Sequence, residues 1–406
     1  MMNITSKKKR YWIFSLLYLG WCIAFIDRVV LSMSSTHIAK ELSLNSTEIG
    51  LIMSIFYLGF WLMQFPGGWL ADRYGAKIIV MVCIGCWSVF TFTTGVAWSL
   101  VSLLVIRFLF GIGEGGYPSA SIKNAAEHFP LEQKPKVSSF LISSNYIGSM
   151  LAPMLIAPLV IYLGWRHAFM SIGVLGIAFV ILYGLTVPNK KSLNQEGKKY
   201  GFADVKSVLS NKVLWGLAAT WFGLSLVNKG LDSWMPVYLM TERHLDIKHV
   251  GMVLPFPYIF AGIATAIGGW VMLKFFDGRE KYMLMGCAIL TAFFIFLMYR
   301  SSTITEVIIA QSLAYFFKSF VLAVAVALPT KMMPEHQVGS AIGVINVGGQ
   351  AAGFIAPLTI GIIVDHYSFS AAFLFLMGAA LFAALMSLTI HTKKIKNEVT
   401  YVKQSA

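Results

Sequence analysis

A chain of 406 residues that is 57% hydrophobic and only 12% charged is too apolar for a soluble domain and lacks the composition of a disordered one. Its net charge of +14 would suit a nucleic-acid binder, but the basic residues form no patch and instead sit between long apolar segments, mostly on alternate loops. That pattern excludes nucleic acid as a partner and makes the lipid bilayer the chain's solvent.

Each apolar segment is long enough to cross a hydrocarbon core of roughly 30 Å. In chain order the spans are Tyr11 to Ser32, Thr47 to Leu70, Lys77 to Ala97, Leu100 to Lys123, Val137 to Leu163 and Arg166 to Pro188. Six more run over Lys212 to Tyr238, His249 to Leu273, Tyr282 to Tyr299, Ile304 to Met332, Val338 to Val364 and Ser370 to His391. The expected fold class is therefore all-α integral membrane with twelve transmembrane helices. The first span has the positive flank of a signal peptide in Lys7 to Arg10, but it is too long and lacks a small-residue cleavage site, so it reads as a retained helix.

With that span leaving from the cytoplasm, only Lys40, Arg166, Arg243, Lys248 and Arg300 fall on exterior loops. The positive-inside rule then puts both termini in the cytoplasm, with the plasma (inner) membrane as the expected location. The polar interval 189–211 divides the spans six and six: an N-terminal half over 1–188, a cytoplasmic linker, a C-terminal half over 212–391 and a cytoplasmic tail over 392–406. Gly67-Gly68-Trp69 and Gly268-Gly269-Trp270 end the second and eighth spans alike. Such duplication suits a carrier with its site between repeats.

Cys22, Cys83, Cys86 and Cys287 all fall within spans, which argues against a disulfide framework. The eight histidines lie at helix ends or in loops, with no metal-ligand constellation. Asn45-Ser46-Thr47 is a sequon that matters only in a glycosylating host. Gly111, Gly113 and Gly116 spell a dinucleotide fingerprint, but inside a membrane span they serve close helix contact. No HExxH, Walker A or GxSxG pattern occurs, so an enzyme reading has no support and no cofactor is expected.

Charges inside the spans are costly enough to mark function. Arg107 and Glu114 are seven residues apart in the fourth span, which returns them to nearly one helical face about 10 Å along the axis. Asp27 and Arg28 lie near the outer third of the first span. A guanidinium fork matches a carboxylate bidentately and keeps its charge, which makes Arg28 the substrate ligand and leaves Asp27 and Glu114 to carry coupling protons under the field of Arg107. The competing reading is a structural network locking these two spans, with Asp27 and Arg107 as each other's partners.

In the second half, Lys318 holds roughly the place that Glu114 has in the first. It binds a second anionic group, which would favour a dianion, forms a gating ion pair with Glu114, or serves structure alone. Lys229 and Asp232, three apart in the seventh span, most simply satisfy each other. Tyr57, Asn145, Asn346 and Gln350 are polar groups at cavity depth, suited either to substrate hydroxyls or to interhelical hydrogen bonds.

The stretch Gly68-Trp69-Leu70-Ala71-Asp72-Arg73-Tyr74-Gly75-Ala76-Lys77 resembles the signature loop of the major facilitator superfamily. Asp72 at the end of one helix can face the positive end of a helix from the other half, and Gly75 permits the tight turn. With Arg73 and Lys77 this makes a conformational latch that would hold the outward-facing form. Phe25 to Arg28, Arg107 to Pro118, Gly164 to Arg166, Trp234 to Pro236 and Gly339 to Pro357 together resemble the anion:cation symporter family. That resemblance implies two pseudo-symmetric six-helix halves, a small organic anion such as a sugar acid as substrate, H⁺ as coupling ion with Na⁺ as alternative, a monomer, and the same roles for Arg28, Asp27 and Glu114. Phe25 stands where the family often has Tyr, and Glu132-Gln133-Lys134 replaces its usual acid–arginine pair. An organophosphate:phosphate exchanger of the same fold and a transporter-like membrane sensor are the other readings.

Overall fold

The computed structural model describes residues 7–130, 133–188, 209–333 and 335–391. Among the described residues there is no strand; helices follow one another through short turns. In chain order they are α1 (Lys7–Leu42), α2 (Ser46–Tyr74), α3 (Ala76–Thr94), α4 (Leu100–Gly115), α5 (Tyr117–His128), α6 (Lys134–Thr186), α7 (Lys212–Thr241), α8 (Ile247–Val253), α9 (Pro255–Phe275), α10 (Glu280–Arg300), α11 (Ile304–Met332), α12 (Glu335–His366) and α13 (Phe369–Ser387). Nearly all of the expected linker, and the tail over 392–406, lie outside the described residues.

Ten stretches among the described residues are long and apolar enough to cross a membrane. One of them, within α6, is in fact two helices, because Gly164 leaves the helical region (φ 72, ψ 163). A left-handed φ of this kind is open to glycine and costly for other residues, and it falls where the sequence separates the fifth and sixth spans. α7 is 30 residues long but carries Lys229 and Asp232 in its interior.

Proline sets two further breaks. Pro118 has no N–H to give to the Glu114 carbonyl, and that carbonyl takes the Gly116 amide where α4 hands over to α5. Pro255 opens α9 directly after Leu254, dividing the eighth span in the same manner. Gly75, with φ 98, supplies the tight turn between α2 and α3.

The halves of the chain meet chiefly through α2 with α12, α1 with α7, and α6 with α8 and α9. Among the described residues, the polar contacts joining them fall at mid-depth or on the side away from the chain termini. Asp365 of α12 accepts from the Ser46 and Thr47 amides at 2.9 and 2.6 Å, the Leu358 amide donates to Ser54 Oγ at 3.0 Å, and Tyr146 meets Thr265 at 2.6 Å. Gly251 lies so close to Pro153 and Ala157 that a Cβ there would sit 2.9 Å from both. Towards the termini, Gly269 and Gly343 have nothing within 4 Å of an added Cβ.

A cavity between the two halves

Why α4 carries its charges where it does follows from its glycines. A Cβ on Gly111 would collide with the Phe56 carbonyl of α2, one on Gly115 would stand 2.5 Å from the Phe60 carbonyl, and one on Gly113 would stand 2.9 Å from Cys86 Cβ of α3. The i, i+4 pair Gly111 and Gly115 therefore seats α4 backbone-to-backbone on α2. Gly113 does the same against α3, and Glu114 is left to meet α1.

There the Arg28 guanidinium donates to Glu114 Oε1 from Nε at 2.9 Å and from Nη2 at 2.5 Å. Glu114 is 1% exposed, and its Oε2 has no protein partner. Three rings surround Arg28, with the Phe25, Phe60 and Phe56 centroids 4.7, 4.8 and 5.2 Å from Cζ. A guanidinium stacks on aromatic faces with little hydration loss, so this is a low-dielectric sleeve around a permanent charge.

Asp27 and Arg107 do not form the pair that their positions suggest. Asp27 is buried with Oδ1 unpartnered, and Arg107 is buried with Nε and Nη1 unpartnered. Arg107 lies over Phe110 at 4.3 Å and Phe56 at 5.5 Å.

The second half repeats the frame with the signs exchanged. Ser99 and Thr303 cap α4 and α11 with matching capping boxes. Glu114 and Lys318 both stand fifteen residues beyond these caps, and Arg107 and Gln311 both stand eight beyond. Lys318 donates to Asn228 Oδ1 of α7 and lies 4.1 Å over the Tyr315 ring. It is 7% exposed and stands outside the cavity wall; no Glu114–Lys318 pair forms.

Nor do Lys229 and Asp232 satisfy each other. Asp232 Oδ2 accepts from Asn228 Nδ2 at 2.8 Å, and Oδ1 accepts from the Tyr315 and Tyr258 hydroxyls at 2.6 and 3.1 Å. Lys229 stands 4.9 Å over the Tyr57 ring from the opposite half.

A cavity of about 50 Å³ opens between these groups, walled by α1, α2, α4, α6, α7 and α9. Its wall includes Arg28, Tyr57, Arg107, Lys229, Asp232 and Tyr258. Of the polar residues singled out from sequence, Tyr57 is on this wall. Asn145 is not, although its Oδ1 is buried without a partner, and neither are exposed Asn346 and half-buried Gln350. Sequence reasoning missed Lys229, Asp232, Ser149, Ser233 and Tyr258 as wall residues. The available signal was the Lys229–Asp232 spacing, which was spent on a local pair.

On the termini side, Asp72 pairs with Lys123 of α5 at 2.6 Å, and Lys123 also donates to the Ala71 carbonyl at 3.0 Å. Arg73 lies over Trp69 and Tyr74, Lys77 donates to the Gly184 carbonyl at 2.8 Å, and Gly68 passes close to Ser119. All of these latch contacts stay within the first half.

A helical membrane protein with a charged central cavity walled by both halves of its chain belongs to the class of carriers. The chain is a member of the Major Facilitator Superfamily, whose family profile matches residues 17–305 and 249–403. It is thus a multi-pass transporter and not an enzyme. It is 29% identical over 432 residues to the Escherichia coli K12 protein named "Probable galactarate/D-glucarate transporter GarP", covering 96% of this chain and 97% of that one. With the "Hexuronate transporter" of Bacillus subtilis strain 168 it shares 28% identity over 389 residues, 91% and 92% of the two chains. The crystal structure of a bacterial homolog of the human lysosomal transporter Spinster, inward-facing and unoccupied, superposes with a TM-score of 0.83 at 18% identity, covering 95% of this chain and 98% of that one. At that identity the likeness establishes the fold.

Proposed function

We propose that this protein imports a small sugar-acid anion together with protons, by alternating access of two six-helix halves, twelve spans in all. It works as a monomer in the plasma membrane with both termini in the cytoplasm. The observation that carries the reading is the Arg28–Glu114 pair at a cavity walled by both halves. Sugar-acid relatives over almost the full chain support the substrate class.

The chemistry follows from the pair. A substrate carboxylate reaching Arg28 competes for the Nε/Nη2 edge that Glu114 occupies. Glu114 then becomes a buried carboxylate without its cation, which costs several kcal/mol unless it takes a proton. Substrate negative charge and proton thus enter together, and release of the anion returns Arg28 to Glu114 and expels the proton. Asp27, buried one residue from Arg28, serves as the second proton carrier. Closure on the side away from the termini, with the Asp72 latch disengaged from the second half, supports an inward-facing state.

Uptake into proteoliposomes under separately imposed pH and Na⁺ gradients tests the reading. Accumulation should follow the pH gradient, and Glu114→Gln should lose accumulation while keeping exchange. Pumping by Glu114→Gln at the wild-type level would remove the proton role, dependence on Na⁺ alone would replace the ion, and inhibition by phosphate would favour an exchanger.

A further inference from the structure

The cavity wall carries three cations, of which Arg28 alone is ion-paired among the described residues and Arg107 is only 2% exposed. Arg28 is tied to Glu114, and Arg107 is sheathed by Phe56 and Phe110. Lys229, from the second half, makes no ion pair among the described residues. The reason lies in Asp232, which at i+3 would ordinarily neutralise it. Asp232 is occupied by three neutral donors, the Asn228 amide and the Tyr258 and Tyr315 hydroxyls. Hydrogen bonds of this kind solvate a carboxylate without a counter-charge. The lysine's charge is left to the cavity, with its ammonium over the face of the Tyr57 ring.

We propose that Lys229 recognises a second anionic group, so that the carrier takes a dianionic sugar acid, one carboxylate on Arg28 and the other on Lys229. This rests on the sugar-acid reading and narrows it. A monoanion would leave Lys229 uncompensated as the cavity closes, and an unpaired charge in a desolvated site is disfavoured. Lysine suits the position because its compact ammonium offers three donors to a carboxylate and the hydroxyl beside it.

The test uses the full-length carrier in proteoliposomes with a hexarate and the matching hexonate, which differ only in a carboxylate against a hydroxymethyl group at C6. Wild type should favour the hexarate at least tenfold in kcat/KM. Lys229→Gln should lose at least tenfold on the hexarate while staying within threefold on the hexonate, and Lys229→Arg should keep the wild-type preference. Hexonate uptake by Lys229→Gln itself reports a folded carrier. If that uptake is lost too, ligand-induced thermal stabilisation in detergent decides: the hexarate must stabilise wild type more than the hexonate does, with the difference gone in Lys229→Gln. An unchanged preference in Lys229→Gln, by uptake or by stabilisation, overturns the proposal. A wild type that prefers the hexonate overturns it and spares the sugar-acid reading, whereas a wild type that takes up neither overturns both.

Discussion

Asp365 completes the first turn of α2 through Thr47, taking its amide at 2.6 Å and its hydroxyl at 2.5 Å across the boundary between the halves. A helix start leaves four amides without intrahelical partners. Here Asp365 also takes Ser46, Asn45 takes Glu48, and the Glu48 side chain takes Asn45, so every one is satisfied. Half of that accounting comes from the other half of the protein. Asp365→Ala should therefore cost the closed arrangement about 1 kcal/mol, the usual worth of a cap, or roughly a fivefold shift toward opening on that side. Spin-label distances between the adjacent ends of α2 and α12 would read it, and an unchanged distribution would refute it.

The opposite end of the same helix pair carries the signature-loop acid. Asp72 is 73% exposed in its pair with Lys123, and exposed pairs contribute at most about 1 kcal/mol. Asp72→Asn should leave thermal stability nearly unchanged yet lower the population open away from the termini, and combining it with Asp365→Ala should bring the distance distribution back toward wild type.

Close packing of α4 makes a graded pair of glycine substitutions informative. Gly111→Ala places a methyl against the Phe56 carbonyl, and overpacking of this kind costs about 1–3 kcal/mol. Gly378 has nothing within 4 Å of an added Cβ. Gly378→Ala should be neutral or slightly stabilising, since Ala is the better helix former by about 1 kcal/mol. Thermal unfolding in detergent separates the two.

Lys318→Ala should slow transport and leave the preference between mono- and dianions untouched, since Lys318 is held by Asn228 and Tyr315 away from the cavity wall. The substitution strips Asn228 of a charged donor, a loss of about 1.5–3 kcal/mol. A changed preference in the substrate panel would return Lys318 to the binding site.

The spans and the turns between them were legible because glycine acts locally, whereas the breaks inside the fourth and eighth spans were read through as continuous helix. Gly75 and Gly164 adopt the positive φ that their positions require, while Pro118 and Pro255 divide spans that read as unbroken. The shared depth of Glu114 and Lys318 was legible too, since it needs only counting along a helix. Partner choice was not. Whether Arg28 meets Glu114, and whether Asp232 meets Lys229 or two tyrosines, depends on how each helix is rotated about its axis. That rotation is fixed by contacts such as Gly111 on Phe56 that span the chain. The Asp365 cap was hidden for the same reason: an acid at a span's end reads as solvated until the neighbouring helix start is known.

The missing hydrogen bond at Pro118 gives the fourth span a mechanical joint one helical turn past its acid. α4 is bolted to α2 and α3 by glycine contacts on the near side of that joint, whereas α5 carries the Asp72 partner Lys123 beyond it. Glu114 therefore lies on the α4 side of the joint, while the Asp72–Lys123 pair ties α5 back to α2 beyond it. A break in the helix thus lies between the Arg28–Glu114 contact and the Asp72–Lys123 pair, so bending at Pro118 changes the angle between the two.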